Sequence, residues 1–176
     1  TVKFSDLDKD PLVATVTIDP FPHSYLFKIV HSAALEASVF LNGMLDREAY
    51  PSGIIDLTIR VADNGSPISL EGTAGIKIEI GDINDSPPSF PILSFSVEIP
   101  ENMNAGYEFY TVQAQDSDSS MNGNSVITYY FDEPNSYFSL NSSTGVLATL
   151  VSLDRESISF HLLEIWAHDN GVPSLT

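Results

Sequence analysis

Apolar and polar residues alternate along several stretches of this chain. Leu57, Ile59 and Val61 alternate with Asp56, Thr58 and Arg60, and Ile76, Ile78 and Ile80 with Lys77 and Glu79. Phe95, Val97 and Ile99 alternate with Ser96 and Glu98. A period of two marks strands with one buried face, the pattern of antiparallel sandwiches. Near the carboxyl end the same register turns Leu163, Ile165 and Ala167 inward and Trp166 outward, where a cross-strand packing platform is expected rather than an adhesive contact. Turn residues punctuate at Asn64-Gly65-Ser66-Pro67, Ser86-Pro87-Pro88 and Met121-Asn122-Gly123-Asn124. No stretch carries a helical period between caps. Short strands in units of about 100 residues predict an all-β chain of tandem Greek-key antiparallel β-sandwiches of the immunoglobulin-like kind.

The chain is internally repetitive. Leu45-Asp46-Arg47-Glu48 recurs 108 residues on as Leu153-Asp154-Arg155-Glu156. Asp63-Asn64-Gly65 recurs 106 residues on as Asp169-Asn170-Gly171, each with a proline two residues later (Pro67, Pro173). Asp6-Leu7-Asp8 has its counterpart in Asp116-Ser117-Asp118. Three landmarks in one order at nearly constant offset identify two copies of one structural unit. The expected units are 1–88 and 89–176, two seven-strand sandwiches set end to end and meeting near Pro87-Pro88, where X-Pro favours extended backbone.

Charge narrows the function. The 176 residues carry 24 acids against 7 bases, a formal net charge of -17. Nucleic acid and anionic membrane surfaces are poor partners for such a chain, whereas cations suit it. There is no cysteine, so a secreted domain of this composition needs either an ample core or bound metal for stability. No apolar run approaches the ~20 residues of a membrane span. His23, His31, His161 and His168 are scattered without metal-ligand spacing and read as surface residues.

The chemistry concentrates where the copies join, at Asp82-Ile83-Asn84-Asp85-Ser86-Pro87-Pro88-Ser89-Phe90. This segment resembles the D-x-N-D-x-x-P-x-F linker of the cadherin family. Pro100-Glu101-Asn102 is similar to that family's P-E-N strand, and Asp116-Ser117-Asp118 with Asn122-Gly123-Asn124 to its D-x-D…N-x-N loop. Thr144-Gly145-Val146-Leu147 leading to Leu153-Asp154-Arg155-Glu156, and Ala167-His168-Asp169-Asn170-Gly171-Val172-Pro173, complete the ordered set. The chain thus resembles tandem extracellular cadherin repeats of a non-classical or protocadherin-like protein. The resemblance covers nearly all of the second unit, and the first from its Asp-x-Asp loop onward.

The resemblance implies calcium as the cofactor, held at the linker and rigidifying a rod. Its implied ligands are Asp46 and Glu48 from the first unit, Asp82, Asn84 and Asp85 from the linker, and Asp116, Asp118 and Asp169 from the second unit. Ile83, Ser86 and Asn124 would add backbone carbonyls. Glu101, Asp154 and Glu156 match ligands for the next junction. The residue types suit the ion, since calcium takes 6–8 oxygen ligands. The Asp116 loop is no EF-hand, because Met121 stands at the invariant glycine position and Ile127 at that of the bidentate glutamate. The first unit departs from the pattern. It lacks a P-E-N glutamate, so two of three expected ion sites want a ligand, and Lys9-Asp10-Pro11 replaces its N-x-N. The second unit is expected to stop short of its last strand.

The implied function is a calcium-dependent cell-adhesion or receptor ectodomain segment with a homophilic or heterophilic cadherin-type protein partner. The alternative is a non-adhesive, force-bearing spacer. Neither an enzyme, nor a small-molecule substrate, nor nucleic-acid binding is expected. The implied location is the cell surface, within a single-pass membrane protein anchored outside this chain. Asn141-Ser142-Ser143 is an N-glycosylation sequon in a turn, expected to be exposed.

Overall fold

A computed structural model describes residues 2–3, 15–18, 24–33, 36–63, 65 and 68–176. The Asp6-Leu7-Asp8 loop, Lys9-Asp10-Pro11, His23, and Asn64 with Ser66-Pro67 lie outside the described residues. Among those described, ordered structure is β-strand apart from two 3-10 turns, at Ser24–Leu26 and Met121–Gly123. No described helix is long and apolar enough to cross a membrane. The chain divides into two compact units, Thr1–Gly81 and Asp82–Thr176, so the linker segment Asp82–Pro88 packs with the second.

The first unit contains β1 (Val2–Lys3), β2 (Thr15–Ile18), β3 (Phe27–Ala33), β4 (Glu36–Leu41), β5 (Ile54–Ala62) and β6 (Glu71–Glu79). They form two antiparallel sheets of order β1-β4-β3 and β2-β5-β6. The alternation in β5 is realised as read. Leu57 and Ile59 are 1% and 0% exposed, while Asp56 faces water. Ile59 packs on Ala37 of the facing sheet, with Ile18, Ile29, Val39, Val61 and Ile76 around them. A second cluster joins Leu26, Phe27, Tyr50, Ile55, Leu57 and Ile80. Burial of this apolar surface, roughly 25 cal/mol per Å², holds the two sheets together. The Leu45-Asp46-Arg47-Glu48 turn leads into the core. Arg47 donates from Nη1 to the Tyr50 carbonyl (2.7 Å), and its guanidinium covers Gly53, whose φ is +64°.

The second unit contains β7 (Glu108–Thr111), β8 (Ile127–Phe131), β9 (Phe138–Leu140), β10 (Val146–Thr149) and β11 (Ile165–Asp169). Its sheets are β7-β10-β9 and β11-β8. Val112, Tyr129, Leu147 and Ala167 form the buried core between them, flanked by Phe109, Phe131, Leu163 and Ile165. The Tyr129 hydroxyl is not left unpaired there, because it accepts the Ala114 N–H at 3.0 Å. Trp166 stands opposite Tyr130 on the outer face and is 45% exposed.

Among the described residues the units show six and five strands rather than seven. The clearest difference is the segment holding Phe95, Val97 and Ile99, which joins no ladder. Phe95 and Val97 stay partly exposed, and Phe95 instead stacks on Tyr110 with ring centroids 4.2 Å apart. Alternation states which face a strand would bury. It does not supply the neighbour that must hydrogen-bond to it.

Leu147 is 1% exposed at the centre of the second core. Leu147→Ala should cost about 2–5 kcal/mol through lost burial and an unfilled cavity. Urea unfolding followed by the fluorescence of Trp166, the single tryptophan, measures this. A loss below about 0.5 kcal/mol, the range of a surface change, would contradict the packing described.

Candidate metal centre

Three stretches of the second unit converge: the linker Asp82–Ser86, the loop Asp116–Asn124, and the turn after β11. Each is shaped by local chemistry. In the loop, Asp118 donates its N–H to Asp116 Oδ1 at 2.9 Å, an Asx turn that sets the local course of the chain. The chain then bends through Asn122 (φ 57°) and Gly123 (φ 85°). Gly123 has no room for a side chain, since a Cβ would lie 2.8 Å from the Asn170 carbonyl oxygen. In β11 the inward parity of Ile165 and Ala167 continues to Asp169, which is 0% exposed.

A carboxylate so deeply buried must be hydrogen-bonded or paired. Asp169 Oδ1 accepts from Asn84 Nδ2 (3.0 Å), Gly171 N–H (2.9 Å) and Leu175 N–H (3.1 Å). Oδ2 accepts Leu175 N–H more distantly, at 3.2 Å. Asn84 Nδ2 also donates to the Pro173 carbonyl at 2.6 Å. Asp118 Oδ2 accepts the N–H groups of Asp85 and Ser86, both at 3.2 Å, which ties the linker to the loop. Asp82 receives Asn124 Nδ2 at 2.7 Å and Ser119 N–H at 3.4 Å.

Those bonds leave specific oxygens over. Asn84 Oδ1, Asp116 Oδ2 and Asp118 Oδ1 are buried and accept no hydrogen bond. Leaving a buried polar atom unsatisfied costs roughly 1–3 kcal/mol, and more for a charged group. Burial pushes the Asp116 carboxyl above the usual carboxylate range. The negative charges of Asp118, Asp169 and Asp82 add to this, against the lowering effect of the Asp118 N–H. Hard oxygen atoms crowded with like charge, with no histidine or cysteine among them, are a donor set for a hard cation.

The remaining predicted residues are distributed as follows. Asn124 is buried, Ile83 and Asp85 are exposed, and Ser86 is half-buried. Asp46 and Glu48 lie in the first unit, where Glu48 N–H donates to Asp46 Oδ1 at 3.1 Å. The copy in the second unit repeats this bond, Glu156 N–H to Asp154 Oδ1, also at 3.1 Å. There the carboxylates of Glu101, Asp154 and Glu156 lie within 4.8 Å of one another, all exposed, with Arg155 N–H donating to Glu101 Oε2. The Ser157 hydroxyl is the first of the groups holding Asp154 below the usual range. Asn141 is exposed, its Oδ1 accepting Ser143 and Thr144 N–H at 3.0 Å.

Three contributors escaped the sequence reading: Gly171, the Pro173 carbonyl and Leu175 N–H. They belong to the motif that named Asp169, but their part is played by backbone, and residue type does not reveal where a carbonyl or an N–H is aimed.

Comparison with known proteins agrees with this fold and these motifs. Residues 95–176 match the family model described as the cadherin domain. Human protocadherin gamma-A7 is 36% identical over 162 residues, covering 88% of this chain and 17% of that protein. Human protocadherin gamma-A2 is 35% identical over 98% of this chain and 19% of its own length. The chain therefore spans under a fifth of the length of these relatives. Among solved structures, the protocadherin gamma-B4 extracellular domain superposes with a TM-score of 0.79 at 30% identity, over 92% of this chain and 25% of that one. Chicken VE-cadherin EC1-2 superposes with a TM-score of 0.75 at 27% identity, over 99% of this chain and 83% of that one. With a matching family model, protocadherin relatives along nearly its whole length and the same β-sandwich fold, this chain belongs to the cadherin family.

Proposed function

We propose that this chain is part of the extracellular region of a protocadherin-type cell-surface protein, in which calcium bound by Asn84, Asp116, Asp118 and Asp169 fixes the linker Asp82–Ser86 to the second unit and supports adhesion to a cadherin-type partner. One observation carries the reading: three buried oxygens, on Asn84, Asp116 and Asp118, accept no hydrogen bond although every one belongs to the same loop cluster. Calcium would supply positive charge to those oxygens. Two carboxylates about 4 Å apart repel by roughly 4 kcal/mol in a partly buried setting, and a divalent cation between them reverses the sign. The ion's preference for carboxylate and amide oxygens over nitrogen and sulfur matches the donors present.

Calcium should bind with an affinity of order 10⁻⁴–10⁻³ M, the range of extracellular modules. A ligand that binds only the folded state stabilises it by about 2.7 kcal/mol at a hundredfold excess over its dissociation constant. The melting temperature should therefore rise with calcium and fall in chelator. Asp118→Asn should remove most of that rise, because Asp118 offers an unsatisfied buried oxygen. Asp82→Asn should remove less, because both Asp82 oxygens already accept protein donors. A melting curve identical in calcium and chelator sinks the calcium reading, and equal losses in the two variants sink the ranking.

Adhesion has its own test. Sedimentation of the chain at micromolar concentration should show association in calcium that disappears in chelator. A species that remains monomeric in both conditions, against itself and against a related protocadherin ectodomain, would favour the spacer role instead.

A further inference from the structure

Gly171 stands apart from the glycines that this fold needs for backbone shape. Gly53, Gly106, Gly123 and Gly145 have positive φ, between 64° and 86°, where other residues are strained. Gly171 does not have a positive φ. What it lacks is space. A Cβ at 171 would lie 2.5–2.6 Å from Cγ, Nδ2 and Oδ1 of Asn84, so the whole amide rests on the bare glycine backbone. No alanine could occupy this position unless that amide moved.

The orientation of the amide is itself fixed. Nδ2 points at two acceptors, Asp169 Oδ1 (3.0 Å) and the Pro173 carbonyl (2.6 Å). Flipping the group would press Oδ1 against a carboxylate and a carbonyl, three acceptors without a proton between them. With Nδ2 held by both, Oδ1 is left buried and without a partner. Asp169 Oδ1 is engaged in the same act, since it also accepts Gly171 N–H and Leu175 N–H.

We propose that Gly171 is a positioning residue for the metal centre. Its missing side chain lets the Asn84 amide lie against the turn after β11, where Asp169 and the Pro173 carbonyl turn Oδ1 toward the cation. This rests on the calcium reading of the same site. It makes the amide essential: at position 84 a carboxylate would have two acceptors to face where Nδ2 now donates, so added negative charge there weakens the site instead of strengthening it.

The test titrates the whole chain with calcium and with luminescent terbium ion. Loss of an outer-shell group typically costs 10–100-fold in metal affinity. Gly171→Ala should weaken binding by about tenfold or more on that scale. In an Asn84→Ala background, where no amide stands in the way, the same change should cost less than about twofold, within the range of independent sites. Asn84→Asp should bind more weakly than wild type despite its extra charge. In nitrogen-15 spectra recorded in chelator, the Asn84 side-chain amide should exchange slowly in wild type and lose that protection in Gly171→Ala. Wild-type chain that binds neither ion overturns the calcium reading. Wild-type binding with an equal loss on Gly171→Ala in both backgrounds, or with tighter binding by Asn84→Asp, overturns the positioning role alone. Should Gly171→Ala fail to fold, the Asn84→Asp titration and the wild-type amide exchange decide the matter by the same outcomes.

Discussion

A buried carboxylate governs the loop end of the second unit. Asp169 sits where strand β11 would otherwise place an apolar residue, and it has no exposed surface at all. Its desolvation is offset by three donors on Oδ1, from Asn84, Gly171 and Leu175. Satisfying it draws the linker residue Asn84 and the turn through Leu175 onto one point. Asp118 does the same from the other side, taking the N–H groups of Asp85 and Ser86. Two carboxylates thus attach the linker to the second unit, and the oxygens left unsatisfied around them, on Asn84, Asp116 and Asp118, define the proposed ion's place.

The stability of this arrangement is conditional. A well-formed core beneath it, centred on Leu147 and Tyr129, does not depend on charge. The loops above do, because burial, with the negative charges of Asp118, Asp169 and Asp82 added to it, raises the Asp116 carboxyl above its usual range. Such a cluster is costly alone and favourable around a divalent cation. On the proposed reading, a fold that stores like charge on a hydrophobic platform would gain stiffness when the ion arrives and lose it when the ion leaves.

Much of this was legible beforehand, for identifiable reasons. The alternation at Leu57 and Ile59 named their burial because a half-buried strand leaves few other choices. Asp116 and Asp118 were legible because Asp116-Ser117-Asp118 with Asn122-Gly123-Asn124 resembles the family's D-x-D…N-x-N loop. The segment around Phe95 and Val97 was not legible, since a strand needs a neighbour and its neighbour is set by non-local pairing. Nor was the part of Gly171. A glycine in an Asn-Gly turn ordinarily signals positive φ, and here it signals close approach by a residue 87 positions earlier in the chain.

On the proposed reading, one loop cluster of the second unit takes up calcium through oxygens already aimed at it. Backbone chemical shifts recorded during a calcium titration test this most directly. Saturable shifts are expected at Asp82–Ser86, Asp116–Asn124 and Asp169–Leu175, with the core strands around Leu147 unchanged. Saturation without movement at Asn84, Asp118 and Asp169, or uniform small shifts across the whole chain, would contradict it.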